Sequence, residues 1–109
     1  MKRNILTFSV IAIIVLLSSV SQAETVRGRI LRQGPFGIYP AQGIHLTLYS
    51  QAIGRSAPAF SDASGMYYFQ NVPRGPFVLE IWANNVIAMT FTIMVQQAIT
   101  DIAPVRISF

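Results

Sequence analysis

The sequence predicts an all-β fold for the part of the chain after Ala23, an antiparallel sandwich or barrel of six or seven short strands. Apolar residues recur there at every second position, as in Ile44, Leu46 and Leu48, which is the pattern of a strand with one buried face. Residues that favour turns separate these runs. No stretch after Ala23 carries the apolar stripe of an amphipathic helix, so helices are not expected in this region.

The individual strands follow from these runs and from the turn residues between them. Asp62 and Gly65 predict a tight turn, because aspartate accepts hydrogen bonds from the backbone that follows it and glycine adopts positive φ. Asn84–Asn85 suits a two-residue hairpin, since asparagine tolerates positive φ. Pro58 and Pro104 have no N–H for a ladder and predict edges or bends. The predicted strands are 25–32, 43–50, 56–61, 66–70, 77–83, 86–95 and 101–108.

The N-terminus has the pattern of a cleavable secretory signal. Lys2–Arg3 forms a short positive start, residues 5–17 are almost entirely apolar, and Ser21-Gln22-Ala23 places small residues where a signal peptidase cuts. A permanent anchor is the less favoured alternative, because the apolar run is shorter than the ~20 residues that a spanning helix needs. We therefore expect a signal-peptide helix at 1–23 and a periplasmic or secreted domain at 24–109, with no stable membrane anchor after cleavage.

The composition of the predicted mature domain limits its chemistry. Its 86 residues contain six arginines, no lysine and four acidic residues, a net charge of +2. Arg27, Arg29 and Arg32 are close together in the sequence, but a nucleic-acid surface usually needs more charge on one face, so they are interpreted as a solvated strand face and no nucleic-acid partner is expected. The chain has no cysteine and forms no disulfide, so the fold depends on apolar packing. A domain of this size is expected to be stable by only ~4–13 kcal/mol.

One stretch goes beyond generic β patterning, because its turn and core residues match a known family in order. It resembles the carboxypeptidase regulatory-like domain, which reads T-D-x-x-G-x-Y-x-F-x-x-L-P-x-G-x-Y-x-L-x-V in this region. The matching residues are Asp62, Gly65, Tyr67, Phe69, Val72, Pro73, Gly75, Phe77, Leu79 and Ile81. Earlier residues also fit: Val26, Gly28, Ile30, Gly43, Ile44, Leu46 and Leu48. The resemblance implies a transthyretin-like (prealbumin-like) sandwich of seven antiparallel strands in a Greek key.

The resemblance has one departure. Family members often continue with S-A-P-G-Y, whereas this chain continues with Trp82-Ala83-Asn84-Asn85-Val86. Trp82 therefore stands where the family has a small polar residue, and the sheet edge that follows is less well defined by the resemblance.

Few residues in the predicted domain can do chemistry. His45 has no second histidine or cysteine with which to hold a metal, so no metal or cofactor is expected. Asp62 is explained by its turn, and Glu80 by a place on the solvent face of a strand. No nucleophile-elbow pattern supports a catalytic triad. The metallocarboxypeptidase activity of proteins that carry the regulatory domain belongs to a different domain. The sequence therefore predicts no catalytic residues and no enzyme activity.

Exposed aromatic residues remain as the candidate binding surface. Trp82 is out of phase with the core positions Leu79 and Ile81 and should face outward; alternatively it packs under residues 33–41 or against a neighbouring strand. Residues 33–41 form a loop framed by proline and glycine that binds a partner or, alternatively, caps the sandwich end. The candidate binding residues are Trp82, Phe36, Tyr39 and Tyr49.

Two functions are weighed on these features. The first is a non-catalytic exported module that binds a protein in the bacterial periplasm or cell envelope, through an edge strand or through residues 33–41. The alternative is a carbohydrate-binding module in which Trp82, Tyr39 and Tyr49 stack on sugars. The sequence favours the protein-binding hypothesis, since stacking platforms usually present several exposed aromatic residues in a row.

Overall fold

The computed structural model describes residues 24–109, so the predicted signal-peptide helix at 1–23 lies outside the described residues. These residues form ten strands and no helix, and therefore no helix that could cross a membrane. The strands are β1 (Glu24–Gly34), β2 (Gly37–Pro40), β3 (His45–Ser50), β4 (Gly54–Arg55), β5 (Ala59–Phe60), β6 (Met66–Val72), β7 (Gly75–Ala83), β8 (Val86–Val95), β9 (Ile99–Asp101) and β10 (Val105–Ile107).

The strands make two sheets. The first sheet is built on β1, which pairs antiparallel with β6 and β2 along one side and parallel with β9 and β10 along the other. The second sheet has the order β4–β3–β7–β8, with β5 pairing beside β4 along the same side of β3. β8 is therefore an outer strand of the second sheet.

The all-β prediction is confirmed, but the purely antiparallel arrangement of seven strands is wrong in two respects. β9 and β10 run parallel to β1, because the chain crosses from the second sheet to the first after β8. The number of strands is ten, since residues 33–41 contain β2 rather than a loop, and proline interrupts two predicted strands. Pro58 leaves only β5 of the strand predicted at 56–61, and Pro104 divides the last strand into β9 and β10. The Greek-key connection stays a prediction.

The core lies between the two sheets and consists of the residues that the alternation predicted to face inward. Leu46, Leu79 and Ile81 are fully buried in the second sheet, and Val26 and Ile30 are fully buried in the first. Phe77, Phe69 and Val72 are also buried. Because every inward position of β3 and β7 is apolar, these two strands form the centre of the sandwich.

A β-bulge changes the faces of β8. Ile81 pairs with Met89, whereas the next residue, Trp82, pairs with Ile87, so Ala88 is the extra residue. Paired residues share a face, and Ile87 therefore lies on the outer face with Trp82. The apolar residues Ile87, Met89, Phe91, Ile93 and Val95 alternate in sequence, but because of the bulge the inward series of β8 begins at Met89.

Both predicted turns are confirmed. The Asp62 carboxylate accepts hydrogen bonds from the Ser64 N–H (2.9 Å), the Ser64 hydroxyl (2.7 Å) and the Met66 N–H (3.0 Å). These hydrogen bonds lower the pKa of the Asp62 carboxyl, and the bond from the Ser64 hydroxyl has the largest effect. Gly65 has φ of 82°. Asn84 and Asn85 have φ of 52° and 64°, the conformation of a two-residue hairpin turn.

Candidate functional site

The outer face of the second sheet carries a continuous row of planar side chains, which we call the aromatic stack. His45 and Trp82 stack with ring centroids 5.1 Å apart and an angle of 11° between the rings. Phe60 lies on the other side of His45, at 5.3 Å. The Arg55 guanidinium lies over the Trp82 ring at 5.7 Å and over the Tyr49 ring at 5.2 Å. The aromatic stack therefore consists of Phe60, His45, Trp82, Arg55 and Tyr49.

Strand register brings these residues together. His45 on β3 pairs with Phe60 on β5 and with Trp82 on β7, so the three share the outer face. Tyr49 pairs with Arg55 on β4 in the same way. The residues come from four strands, and only Tyr49 and Trp82 belong to the set that the sequence singled out.

A buried carboxylate lies beneath the aromatic stack. Glu80 accepts two hydrogen bonds from Arg55, at 2.7 and 2.9 Å, and one from the Thr47 hydroxyl, at 2.6 Å. Glu80 is only 4% exposed, so its predicted place on a solvent face is wrong: the strand face is the outer one, but other side chains cover it. The hydrogen bonds from Arg55, more than any other contact, lower the pKa of the Glu80 carboxyl, while burial opposes them.

The same contacts define the state of Trp82. Its Nε1–H donates to the Thr47 hydroxyl at 2.8 Å, and its ring meets His45 and Arg55. Trp82 is half-buried by its neighbours on adjacent strands, as in the alternative in which it packs against a neighbouring strand. Because His45 and Arg55 lie against the Trp82 ring, the indole does not offer two open faces to a flat ligand. It offers one edge of the ring.

An open groove of about 530 Å³ adjoins Trp82 at the end of the sandwich. Its polar lining includes the Arg32 guanidinium, the His45 imidazole and the amides of Asn84 and Asn85, and its aromatic lining includes Trp82. Guanidinium, imidazole and amide groups donate and accept hydrogen bonds, so the groove suits a polar ligand.

The other predicted aromatic residues lie on the β1–β2 hairpin, outside the aromatic stack. The register runs from Leu31 opposite Pro40 to Gly34 opposite Gly37, which leaves Pro35 and Phe36 as the tip. Phe36 is fully exposed, and Ile38 and Tyr39 are 44% and 48% exposed. The alternative in which Phe36 or Ile38 is tucked into the sandwich end is therefore wrong for the described structure.

The free edge of β8 is a further surface that the aromatic residues do not include. β8 pairs with β7 along one side over most of its length, and among residues 24–109 no strand pairs with its other side. Its inward residues Met89, Phe91 and Ile93 are only partly buried, although they pack against the core. Residues 83–98 contain no charged residue, and β8 contains no proline.

No metal centre emerges within residues 24–109: the structure there groups no three histidine, cysteine, aspartate or glutamate side chains in a way that could hold a metal ion. Sequence reasoning missed Arg55 and Phe60, because β4 and β5 are two residues long and carry no periodic signal. The sequence analysis proposed binding through an edge strand without saying which strand. The absence of charged residues from 83–98 is the sequence signal that points to β8.

Comparison with family models and with curated protein sequences finds no match, whereas comparison with solved structures does. The GBS52 minor pilin of Streptococcus agalactiae superposes with a TM-score of 0.59 at 13% identity, over 78% of this chain and 44% of the pilin chain. A DUF3823 family protein of Parabacteroides merdae gives 0.54 at 17% identity, over 79% of this chain and 46% of that one.

A candidate carbohydrate-binding protein of Pseudomonas aeruginosa has a TM-score of 0.55 at 12% identity, and the match covers 83% of this chain and 93% of that chain. This chain thus spans less than half of the two proteins above but nearly all of this one. At such identities the likeness establishes a shared fold. The described residues therefore form a β-sandwich of the kind found in pilin, DUF3823 and carbohydrate-binding-type proteins.

Proposed function

We propose that this protein is an exported, non-catalytic module of the carboxypeptidase regulatory-like type, which binds another protein in the bacterial periplasm or cell envelope. The observation that carries this proposal is the uncharged edge of β8, with which no other strand of residues 24–109 pairs. The N-terminal pattern of residues 1–23 supports export, and the fold shared with pilins supports a non-catalytic role.

The edge of β8 is built to receive an extended segment of a partner protein. An edge strand presents backbone N–H and C=O groups, and natural sheets usually protect such edges with lysine, proline or a bulge. Here the bulge at Ala88 affects only the start of the strand and leaves residues 89–95 regular. An added strand would pair with the backbone and cover the partly buried side chains of Met89, Phe91 and Ile93.

Photo-crosslinking in intact cells tests this edge. A photoreactive residue in place of Met94, which is half-exposed on β8, is expected to give a discrete adduct with one envelope protein. Adding Thr92→Lys should reduce the adduct about tenfold, because a charged lysine on an edge strand disfavours pairing with a further strand, and a cost of ~1.4 kcal/mol corresponds to that factor.

The matched control places the same photoreactive residue at Ala63, which is exposed in the 62–65 turn that is held against β1 of the first sheet. The control is expected to lack the β8 adduct. An equal adduct from both positions, or one that Thr92→Lys leaves unchanged, would contradict the proposal.

A carbohydrate-binding function is the second candidate, and the polar groove beside Trp82 favours it. Trp82 is the only tryptophan of the chain, so its fluorescence reports on this groove alone. Titration with a polysaccharide that binds in the groove is expected to change the Trp82 emission. Arg32→Gln should weaken this binding about tenfold, because it removes a hydrogen bond from a charged group. Arg29→Gln, an exposed arginine outside the groove, is the control. A flat response over a broad polysaccharide panel rejects this candidate.

A further inference from the structure

The β1–β2 hairpin presents apolar side chains in order of distance from the sandwich. Phe36 stands at the tip with no protein cover. Ile38 and Tyr39 follow and lie on opposite faces of the hairpin, since Ile38 pairs with Gln33 and Tyr39 pairs with Arg32. The apolar surface therefore surrounds the tip rather than forming one side of it.

Cations follow behind the apolar tip on both faces. Arg32 lies on the face of Tyr39 and donates a hydrogen bond to the Phe109 carbonyl oxygen at 2.9 Å. Arg106 on β10 is exposed and pairs with Leu31, which places it on the opposite face, that of Ile38. Arg32 precedes the tip residue Pro35 by three positions, or about 10 Å of extended strand.

The arginines at the base of the hairpin form no ion pair with an acidic side chain among the described residues. Residues 25–61 contain four arginines and no aspartate or glutamate. Among the described residues, the ion pairs join Arg27 to Asp101, Arg55 to Glu80 and Arg74 to Glu24, and none of them involves Arg32 or Arg106. Asp62, whose turn packs beside the hairpin base, has its carboxylate bound by Ser64 and Met66, so within residues 24–109 Arg32 and Arg106 have no carboxylate side chain as a partner.

We propose that the β1–β2 hairpin seats reversibly on an anionic lipid bilayer, with Phe36 among the acyl chains and Arg32 and Arg106 at the headgroups. Interfacial segments insert their apolar side about 5–10 Å below the headgroups and hold cations at the surface, which matches the spacing from the tip to Arg32. Tyr39 lies between the two, at the depth where amphipathic rings are favoured.

A bilayer fits this arrangement better than a protein groove does. A groove receives one apolar face of a hairpin, whereas here apolar and cationic groups surround the hairpin axis in successive layers. A single short insertion gives weak, reversible binding and no permanent anchor. This contact is separate from the edge of β8, which belongs to the other sheet.

Vesicle co-sedimentation tests the hairpin, using the protein as the cell processes it. Binding is expected to vesicles of equimolar phosphatidylglycerol and phosphatidylcholine and not to vesicles of phosphatidylcholine alone. Phe36→Ser should weaken binding at least about tenfold, the value of burying one phenylalanine. Arg106→Gln should weaken it about fivefold, and added salt should remove that difference.

Ile53→Ser is the matched control, because Ile53 is 62% exposed in the β3–β4 turn, at the end of β3 opposite His45 and the groove that Arg32 lines. This variant is expected to bind the anionic vesicles like the parent protein. Phe36→Trp is expected to gain a blue-shifted emission on those vesicles, which surface adsorption alone would not produce. Equal binding by the Phe36→Ser variant and the parent, or no preference for phosphatidylglycerol, overturns the proposal. A protein adduct that depends on Phe36 without vesicle binding also overturns it and assigns the hairpin to a protein groove.

Discussion

Gly65→Ala is expected to destabilise the domain by about 3 kcal/mol, a large fraction of the ~4–13 kcal/mol available to a chain of this size. Gly65 has φ of 82°, a conformation that costs a residue with a side chain ~1–2 kcal/mol. A Cβ at this position would also overlap the Ile30 carbonyl oxygen. That oxygen cannot simply move away, because it accepts the Ala41 N–H at 2.9 Å and Ile30 is fully buried. The steric conflict adds ~1–3 kcal/mol.

Gly43→Ala is the matched control for this substitution. Gly43 has φ of 76°, close to that of Gly65, but a Cβ there would meet nothing within 4 Å. Gly43→Ala is therefore expected to show the conformational cost alone, about 1 kcal/mol. Urea unfolding of the two variants measures the difference. Equal losses would show that contact with Ile30 is not the cause.

The Gly65 contact also explains part of the family resemblance in physical terms. Gly65 donates its N–H to the Asp62 carbonyl and accepts the Ile30 N–H at 2.8 Å, so the turn is held against β1. Glycine fits position 28 for a similar reason, because a Cβ there would overlap the hydroxyl end of the Tyr67 ring. Tyr67 is fully buried over this glycine. The glycines at positions 28 and 65 of the motif thus stand where another part of the chain approaches too closely for a side chain.

Local signals therefore predicted much of the sandwich. Alternation located β1, β3, β6, β7 and β8, and the turns at 62–65 and 84–85 followed from aspartate, glycine and asparagine. The parallel pairing of β9 and β10 with β1 was not predictable in this way, because the alternation within a strand does not determine which other strand it pairs with. The hairpin was hidden for another reason: every residue of β2 is exposed, so it has no buried face to produce alternation.

The candidate surfaces show the same limit. Alternation placed Trp82 and Glu80 on the outer face of β7, which is where they lie. It could not show that Arg55 would cover that face, because Arg55 is 25 residues from Glu80 in the sequence and lies on a strand of two residues. Glu80 is buried only because Arg55 and the aromatic stack lie above it. The burial of Glu80 on β7 therefore depends on side chains of β3 and β4 as well as on its own strand.

Glu80→Gln is expected to lower the free energy of unfolding by about 2 kcal/mol at neutral pH, the value of hydrogen bonds to a charged group. Glutamine keeps the shape of the side chain but removes the charge that Arg55 and Thr47 bind. Arg55→Met should cost more than Glu80→Gln, because it leaves a carboxylate that is 4% exposed without its cation. The double variant should recover part of the loss of Arg55→Met, since it removes the unpaired charge.

The pH dependence distinguishes this electrostatic effect from simple packing. The folded protein lowers the pKa of Glu80, so the stability that Glu80 contributes is fully present above the unfolded pKa of ~4.3 and disappears as the pH falls through the lower, folded value. Glu80→Gln has no such proton to gain. Its deficit relative to the parent should therefore be greatest at neutral pH and shrink below about pH 4, as measured by urea unfolding across this range. A deficit of the same size at pH 3 and pH 7 would mean that the charge of the Glu80 carboxylate is not what stabilises the sheet, because glutamine keeps the volume of the side chain.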